Sequence, residues 1–224
     1  MIKYVLTSLA ICPLFAHAAG MVPETSVLLV DERKGEASIN VTNTDTVPQL
    51  LYTTVVELPG ERKTTRLIPT QPVVRVEAGQ IQRVRFMLQT DAPLKSEEMK
   101  RVTFEGIPPK TADNKNQVTL SIRQDLPVLI HPASLAEDLE PWKQLKWRKK
   151  GNMLEVSNPS DYVVRLTPQF RTLPSGASGS MNRTYMLPHT TLSVDLPSGK
   201  DETVEFYPAS RYGYRGDKFQ TELN

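Results

Sequence analysis

Cysteine is almost absent from this chain: 224 residues hold one, Cys12, inside the first apolar stretch. A single thiol excludes a disulfide framework and a thiolate metal site. Histidine is nearly as scarce. His17 belongs to the same stretch, and His131 and His189 stand far apart in sequence, which makes a poor zinc site. Long apolar runs are missing as well. The longest, Tyr4 to Ala16, is too short to span a bilayer, so no membrane insertion is expected. No GxSxG, HExxH or phosphate-loop motif occurs, and Glu97-Glu98 and Glu137-Asp138 read as turn or cap acids rather than as an acid/base couple. Catalysis has no support here, and no cofactor or metal is implied.

What is present begins with an export signal. Lys3, the apolar run and Ala16-His17-Ala18 have the order of a secretory leader with an A-x-A cleavage site. Residues 1–18 are read as that leader, with the mature chain starting at Ala19 or Gly20. Lipid attachment at Cys12 is disfavoured by Ile11 before it and Pro13 after it. A formal charge of +2 is spread thinly. Its densest cluster, Lys143 to Lys150, alternates with Leu145 and Trp147 and reads as a solvated strand face. Membrane-surface or nucleic-acid contact stands behind that reading, and export argues against nucleic acid as a partner.

The remainder is a series of short strand-like segments without long amphipathic helices. Ser26–Asp31, Ala37–Thr42, Leu50–Glu57, Arg66–Val76, Ile81–Leu88 and Lys100–Ile107 are rich in β-branched residues, and the breaks hold Gly79, Pro108-Pro109 and Asn114. A seventh, Gln117 to Pro132, reads QVTLSIRQDLPVLIHP. Val118, Leu120 and Ile122 alternate with Thr119, Ser121 and Arg123, and after Pro127 the residues Val128, Leu129 and Ile130 are consecutive. Proline cannot donate to a ladder, so the segment reads as an edge strand, and its bare apolar residues call for a partner chain. Seven strands over this length predict an immunoglobulin-like sandwich. Ser134 to Glu137 fits a capping box for one helical turn stopped by Pro141. A second strand series follows in Met153–Val156, Tyr162–Phe170, Tyr185–Leu187, Leu192–Leu196 and Val204–Tyr207, with Leu173–Ser180 as a flexible loop. The expectation is all-β: two immunoglobulin-like sandwiches, residues 19–132 and a smaller 133–224.

Five pieces in order resemble one family. Ala37–Asn43 (ASINVTN), Val73–Arg85 (VVRVEAGQIQRVR), Phe104–Lys110 (FEGIPPK), Ile130-His131-Pro132 and Val156–Leu166 (VSNPSDYVVRL) resemble segments of the PapD-like periplasmic chaperones of chaperone–usher pilus assembly. The resemblance covers nearly the whole mature chain and implies an L-shaped pair of sandwiches. It also implies a periplasmic, Gram-negative, non-enzymatic function. Such chaperones lend their G1 strand to an incomplete pilin subunit and deliver it to an outer-membrane usher. Val118, Leu120 and Ile122 would be the donor residues, although the same three also read as ordinary core. A resting oligomer that caps the apolar edge fits the same reading. The short connection from Ile107 to Gln117 resembles members that serve multi-subunit pili. The rival reading is a secreted two-domain structural subunit or adhesin. Gly20 to Glu24 is too short for its donor extension, and the aromatics are too scattered for a sugar site. An exported hydrolase is more remote.

Two departures follow from the same resemblance. The family's two basic cleft residues, which hold a subunit's terminal carboxylate, fall here near Ser26 or Val27 and at Pro127, and none of these is basic. Leu126-Pro127-Val128 resembles the alternate or archaic branch. Arg123, Arg101 and Arg85 are the candidate replacements, and exposed charge at a sheet edge is the other account of each. The family's interdomain Glu–Arg–Asp cluster maps by spacing to Glu97, His131 and Arg211. A swapped pairing of Glu97 with Arg211, with His131 nearby, would keep charges complementary, while independent surface positions would also fit the spacing.

Overall fold

The computed structural model describes residues 20–59, 65–109, 121–196 and 200–224. The leader and the donor residues Val118 and Leu120 lie outside the described residues. The first sandwich holds β1 (Met21–Pro23), β2 (Leu28–Asp31), β3 (Glu36–Asn43), β4 (Gln49–Val56), β5 (Thr65–Pro69), β6 (Val73–Val76), β7 (Ile81–Thr90), β8 (Glu98–Ile107) and β9 (Arg123–His131). The second holds β10 (Lys146–Lys150), β11 (Met153–Asn158), β12 (Val164–Leu173), β13 (Ser178–Ser180), β14 (Tyr185–Met186), β15 (Thr190–Asp195), β16 (Thr203–Ala209) and β17 (Phe219–Glu222). Among the described residues the one helical element is a 3-10 turn at Pro141–Gln144. No helix among them is long and apolar enough to cross a membrane.

Period-two alternation builds the first core. Ile39 and Val41 of β3, Val84 and Phe86 of β7, Val102 and Phe104 of β8, and Leu126, Val128 and Ile130 of β9 all turn inward. The hydrogen-bonded order β5-β7-β3-β2-β9-β8-β4-β6 folds over itself, so that Phe86 meets Phe104 edge to face with centroids 6.5 Å apart. The second sandwich sets β10-β11-β15 against β13-β12-β16-β17, with β14 also on β12. Trp147, 1% exposed, fills its centre between Phe170 and Phe206 at 5.7 and 5.3 Å. The cluster KQLKWRKK supplies β10: Leu145 and Trp147 are buried while Lys146, Arg148 and Lys150 face solvent.

One device recurs in both sandwiches. The buried amide of Asn43 donates to the carbonyls of Val47, Val76 and Glu77, and its Oδ1 accepts the Asp45 N–H. Asn158 does the same with the carbonyls of Tyr162, Met186 and Leu187 and with Ser160. Each asparagine satisfies backbone groups that a sheet ladder leaves over where a strand turns.

Four local expectations are corrected. Arg66–Val76 is two strands, because Pro69 and Pro72 cannot donate across the gap. Ser178–Ser180 in the supposed loop pairs with β12. Ser134–Glu137 forms no helical turn. The Leu135 carbonyl faces His131 Nε2 at 3.1 Å and the Ala136 carbonyl accepts the Tyr162 hydroxyl at 2.7 Å, so carbonyls a helix would use are taken. The helical turn starts at Pro141 instead, where a missing N–H costs nothing. Finally, β9 is not simply an edge. It pairs with β8 from Arg123 onward, but its parallel ladder with β2 starts at Val128, one residue after Pro127.

Replacing Trp147 with alanine is expected to cost about 3–5 kcal/mol, as for other buried tryptophans. Urea unfolding followed by circular dichroism checks it, and a loss below 1 kcal/mol would contradict the central place given to this ring. A second expectation concerns acid. Burial pushes the Asp201 carboxyl up, but the Ser175 N–H and hydroxyl, the Thr172 hydroxyl and Lys149 outweigh it and hold the group below its ordinary value. Its contribution is therefore complete above the unfolded value of about 3.9 and is lost as pH falls through the lower folded value. Asp201→Asn should flatten the acid limb of a stability-versus-pH curve and leave its shape near neutrality unchanged.

Candidate functional site

The two sandwiches meet across the outer face of β2, β9 and β8. Leu29, Met99 and Leu129 from the first pack with Val163, Tyr185 and Leu187 from the second. Glu97 ties this contact down. Its N–H donates to the Asp161 carbonyl at 2.7 Å, and its carboxylate accepts the Val163 N–H at 2.9 Å and lies 2.8 Å from His131 Nδ1. His131 thus has an oxygen facing each ring nitrogen, from Glu97 and from the Leu135 carbonyl. Arg211 stands 3.9 Å from Glu97 and bonds Glu137 more closely. The structure therefore brings Glu97, His131 and Arg211 together, with His131 rather than Arg211 as the direct partner of Glu97. Nearby, the Tyr162 hydroxyl is held above its ordinary value by burial and by Asp138, Glu97 and Asp161.

Beyond this junction lies a cleft. A cavity of about 220 Å³ is lined by Glu97, Leu129, Val163, Arg165 and Arg211 among others. Gly213 closes one side with φ +92°, and a Cβ there would stand 2.9 Å from Ser26 Oγ and 3.4 Å from Arg165 Nη1. Glycine is required by both the backbone angle and the space. Arg101 faces the same side, directly across the ladder from Pro127, and its Nε donates to Asp125 at 2.7 Å.

The three arginines singled out for a basic cleft separate. Arg101 lines it. Arg123 lies on the same outer face but at the far end of β9, more than half exposed and paired with Glu105 at 2.9 Å. Arg85 is displaced altogether. It is outward-facing on β7 and bonded to Glu36, and because β7 and β8 face each other through Phe86 and Phe104, Arg85 points away from Arg101. The sequence reading missed Arg165. The signal was available: Val164 and Leu166 are core, so Arg165 and Val163, the residue just before β12, share the other face, and an apolar Val163 there implies that something covers it.

At the opposite end of β9, Ile122 is 41% exposed. Period-two counting places it on the row of Leu126, Val128 and Ile130, with Gln124 between, so the buried row continues past the sandwich into solvent. Ser121 is tied to β8 through Glu105. Among the described residues no group of histidine, cysteine and acidic side chains could hold a metal ion.

Two immunoglobulin-like sandwiches joined at a buried polar junction, with Ile122 exposed just before β9 on the row of its core residues, define a class of two-domain β protein. Residues 20–136 match the family model described as Pili and flagellar-assembly chaperone, PapD N-terminal domain, and residues 140–220 match Pili assembly chaperone PapD, C-terminal domain. The chain belongs to this family of pilus-assembly chaperones. It is 68% identical over 206 residues, 92% of each chain, to the fimbrial chaperone YhcA of Escherichia coli K12. It is 24% identical over 218 residues to the chaperone protein LpfB of Salmonella typhimurium, covering 93% of this chain and 91% of LpfB. A structure of the Salmonella enterica SafA pilin in complex with the SafB chaperone shares the fold at TM-score 0.73 and 19% identity, covering 91% of this chain and 96% of that one.

Glu97→Ala would strand the His131 ring and the Val163 N–H inside the junction, and is expected to cost about 3–5 kcal/mol, as for other broken buried pairs. Faster proteolysis between residues 132 and 140 should accompany the loss. In double-mutant cycles Glu97 should couple more strongly to His131 than to Arg211. The reverse order would overturn the assignment of partners.

Proposed function

We propose that this chaperone acts in the periplasm of a Gram-negative cell, reached through cleavage of residues 1–18. There it captures incomplete fimbrial subunits by lending them the strand that carries Val118, Leu120 and Ile122, and hands them to an outer-membrane usher. Residues 19–132 form the chaperone domain that holds this strand, and residues 133–224 form the smaller domain. The observation that carries the proposal is the inward row of β9 emerging at Ile122. A strand whose core-facing side chains outrun their own core can complete a second one. Each leucine or isoleucine buried in a partner contributes about 1.5–3 kcal/mol, enough with main-chain hydrogen bonds to hold a subunit until another subunit's extension replaces the strand. In the absence of a subunit, the same row favours capping by a second copy of the chain.

Co-expression with candidate fimbrial subunits, followed by affinity recovery from the periplasm, tests the proposal. Leu120→Arg should reduce subunit recovery at least tenfold with an unchanged melting temperature, and Ile122→Arg should reduce it less, because Ile122 sits nearest the chaperone's own core. Equal recovery by a folded Leu120→Arg protein would sink the proposal.

A further inference from the structure

We propose that His131 is a proton-dependent clasp on the joint between the two sandwiches. With one added proton its ring binds Glu97 and the Leu135 carbonyl together, and without that proton one of the two bonds is lost. The ring is 8% exposed and Glu97 5%. Nδ1 faces a Glu97 oxygen at 2.8 Å, and Nε2 faces the Leu135 carbonyl at 3.1 Å. A carbonyl can only accept, and a neutral imidazole carries a single N–H. With a neutral ring and an ionised Glu97, one contact therefore sets lone pair against lone pair. A single proton removes that conflict, whichever of the two groups is counted as holding it. Burial raises the cost of leaving the contact unmade.

The ring stands where this proton has mechanical consequences. Its backbone is held in β9, level with Asp31 of β2, and its carbonyl accepts the Glu32 N–H. Glu97 reaches on to the Val163 N–H of the second sandwich, whereas Leu135 belongs to the connection between the two. Losing either bond loosens the junction or frees the connection. No neighbouring charge stands in for the proton. Arg211, from the second sandwich, is 3.9 Å from Glu97 and bonds Glu137 more closely. Arg33 is bonded to Asp31, and Lys34 opens on the same recess. Glu32 accepts the N–H groups of Leu94 and Ala133, Glu98 accepts the Thr65 hydroxyl, and the Tyr162 hydroxyl donates to Ala136. His189 also meets a carboxylate, Asp161 at 2.8 Å, and the Asp161 carbonyl takes the Glu97 N–H. Both side chains of that second pair are about half exposed, so solvent screens it. Because the closed joint takes up the proton, the clasp is complete on the acid side of the range in which histidines titrate, about pH 5 to 8, and weakens as pH rises through it.

Cys12 precedes Gly20, so the full mature chain accepts spin labels at introduced cysteines without interference. Arg66→Cys and Arg148→Cys, both exposed and one in each sandwich, report the distance between the sandwiches by pulsed electron resonance. The distance distribution should be at least twice as wide at about pH 8 as at about pH 5.5, the two sides of the histidine range. Ring nitrogen signals of His131, followed by nuclear magnetic resonance over the same series, should show the proton leaving in step with the widening. His131→Arg, which carries a permanent charge, should stay narrow at both pH values, and His131→Gln should be wide at both. His189→Gln should keep the wild-type response. A wild-type distribution of equal width at both pH values would overturn the clasp, as would a His131 ring whose protonation does not change between them. So would a pH response that survives in His131→Arg or disappears in His189→Gln. The two wild-type measurements decide the matter even where a variant fails to fold.

Discussion

The relation between the two sandwiches depends on one carboxylate. Glu97 immediately precedes β8, whose ladder to β9 starts at Glu98, and its oxygens reach a histidine of its own sandwich and a main-chain N–H of the other. Few side chains can do both. A carboxylate has two oxygens with spare acceptor capacity, and burial makes leaving either unpaired expensive. The apolar contacts of Met99, Leu129 and Val163 add area, but area alone would allow the sandwiches to slide. Directional bonds from Glu97 fix the register in which those apolar side chains meet, and with it the width of the cleft where Arg101 and Arg165 stand.

Much of this architecture could be read from the residues. Alternation in Ile39-Asn40-Val41 and Val102-Thr103-Phe104 marks strands because the core takes every second side chain, and those assignments needed no tertiary information. The recurring asparagines were visible as turn signals in VTN and SNP. What they bond, three carbonyls each, was not, since two of the three acceptors come from a strand remote in sequence. The junction was legible only as spacing. Glu97, His131 and Arg211 could be picked out by position, but which of them touch depends on where the 133–140 connection runs. Hydrogen bonds from His131 and Tyr162 to its carbonyls shape that connection, and no local pattern in Ser134–Glu137 encodes them.

The charged cleft shows a similar limit. Positions near Val27 and at Pro127 carry no charge, and of the three arginines named as replacements, Arg101 stands across the ladder from Pro127 while Arg123 and Arg85 lie away from it. The cations that come close at the cleft sit on one strand of each sandwich: Arg101 across the ladder from Pro127, and Arg165 beside the Gly213 turn next to Ser26 and Val27. Neighbourhood in a sandwich is set by strand order, and strand order is the property a linear reading recovers last.

Pro127 gives β9 two mechanical regimes. On one side of it, opening the strand breaks a single ladder, the one to β8. On the other, opening must break ladders to β8 and β2 together and bring Val128 and Ile130 into water. Amide protection along the strand is therefore expected to rise across the proline. The half of β9 nearest Ile122 is thus held by one ladder and by a single core side chain, Leu126.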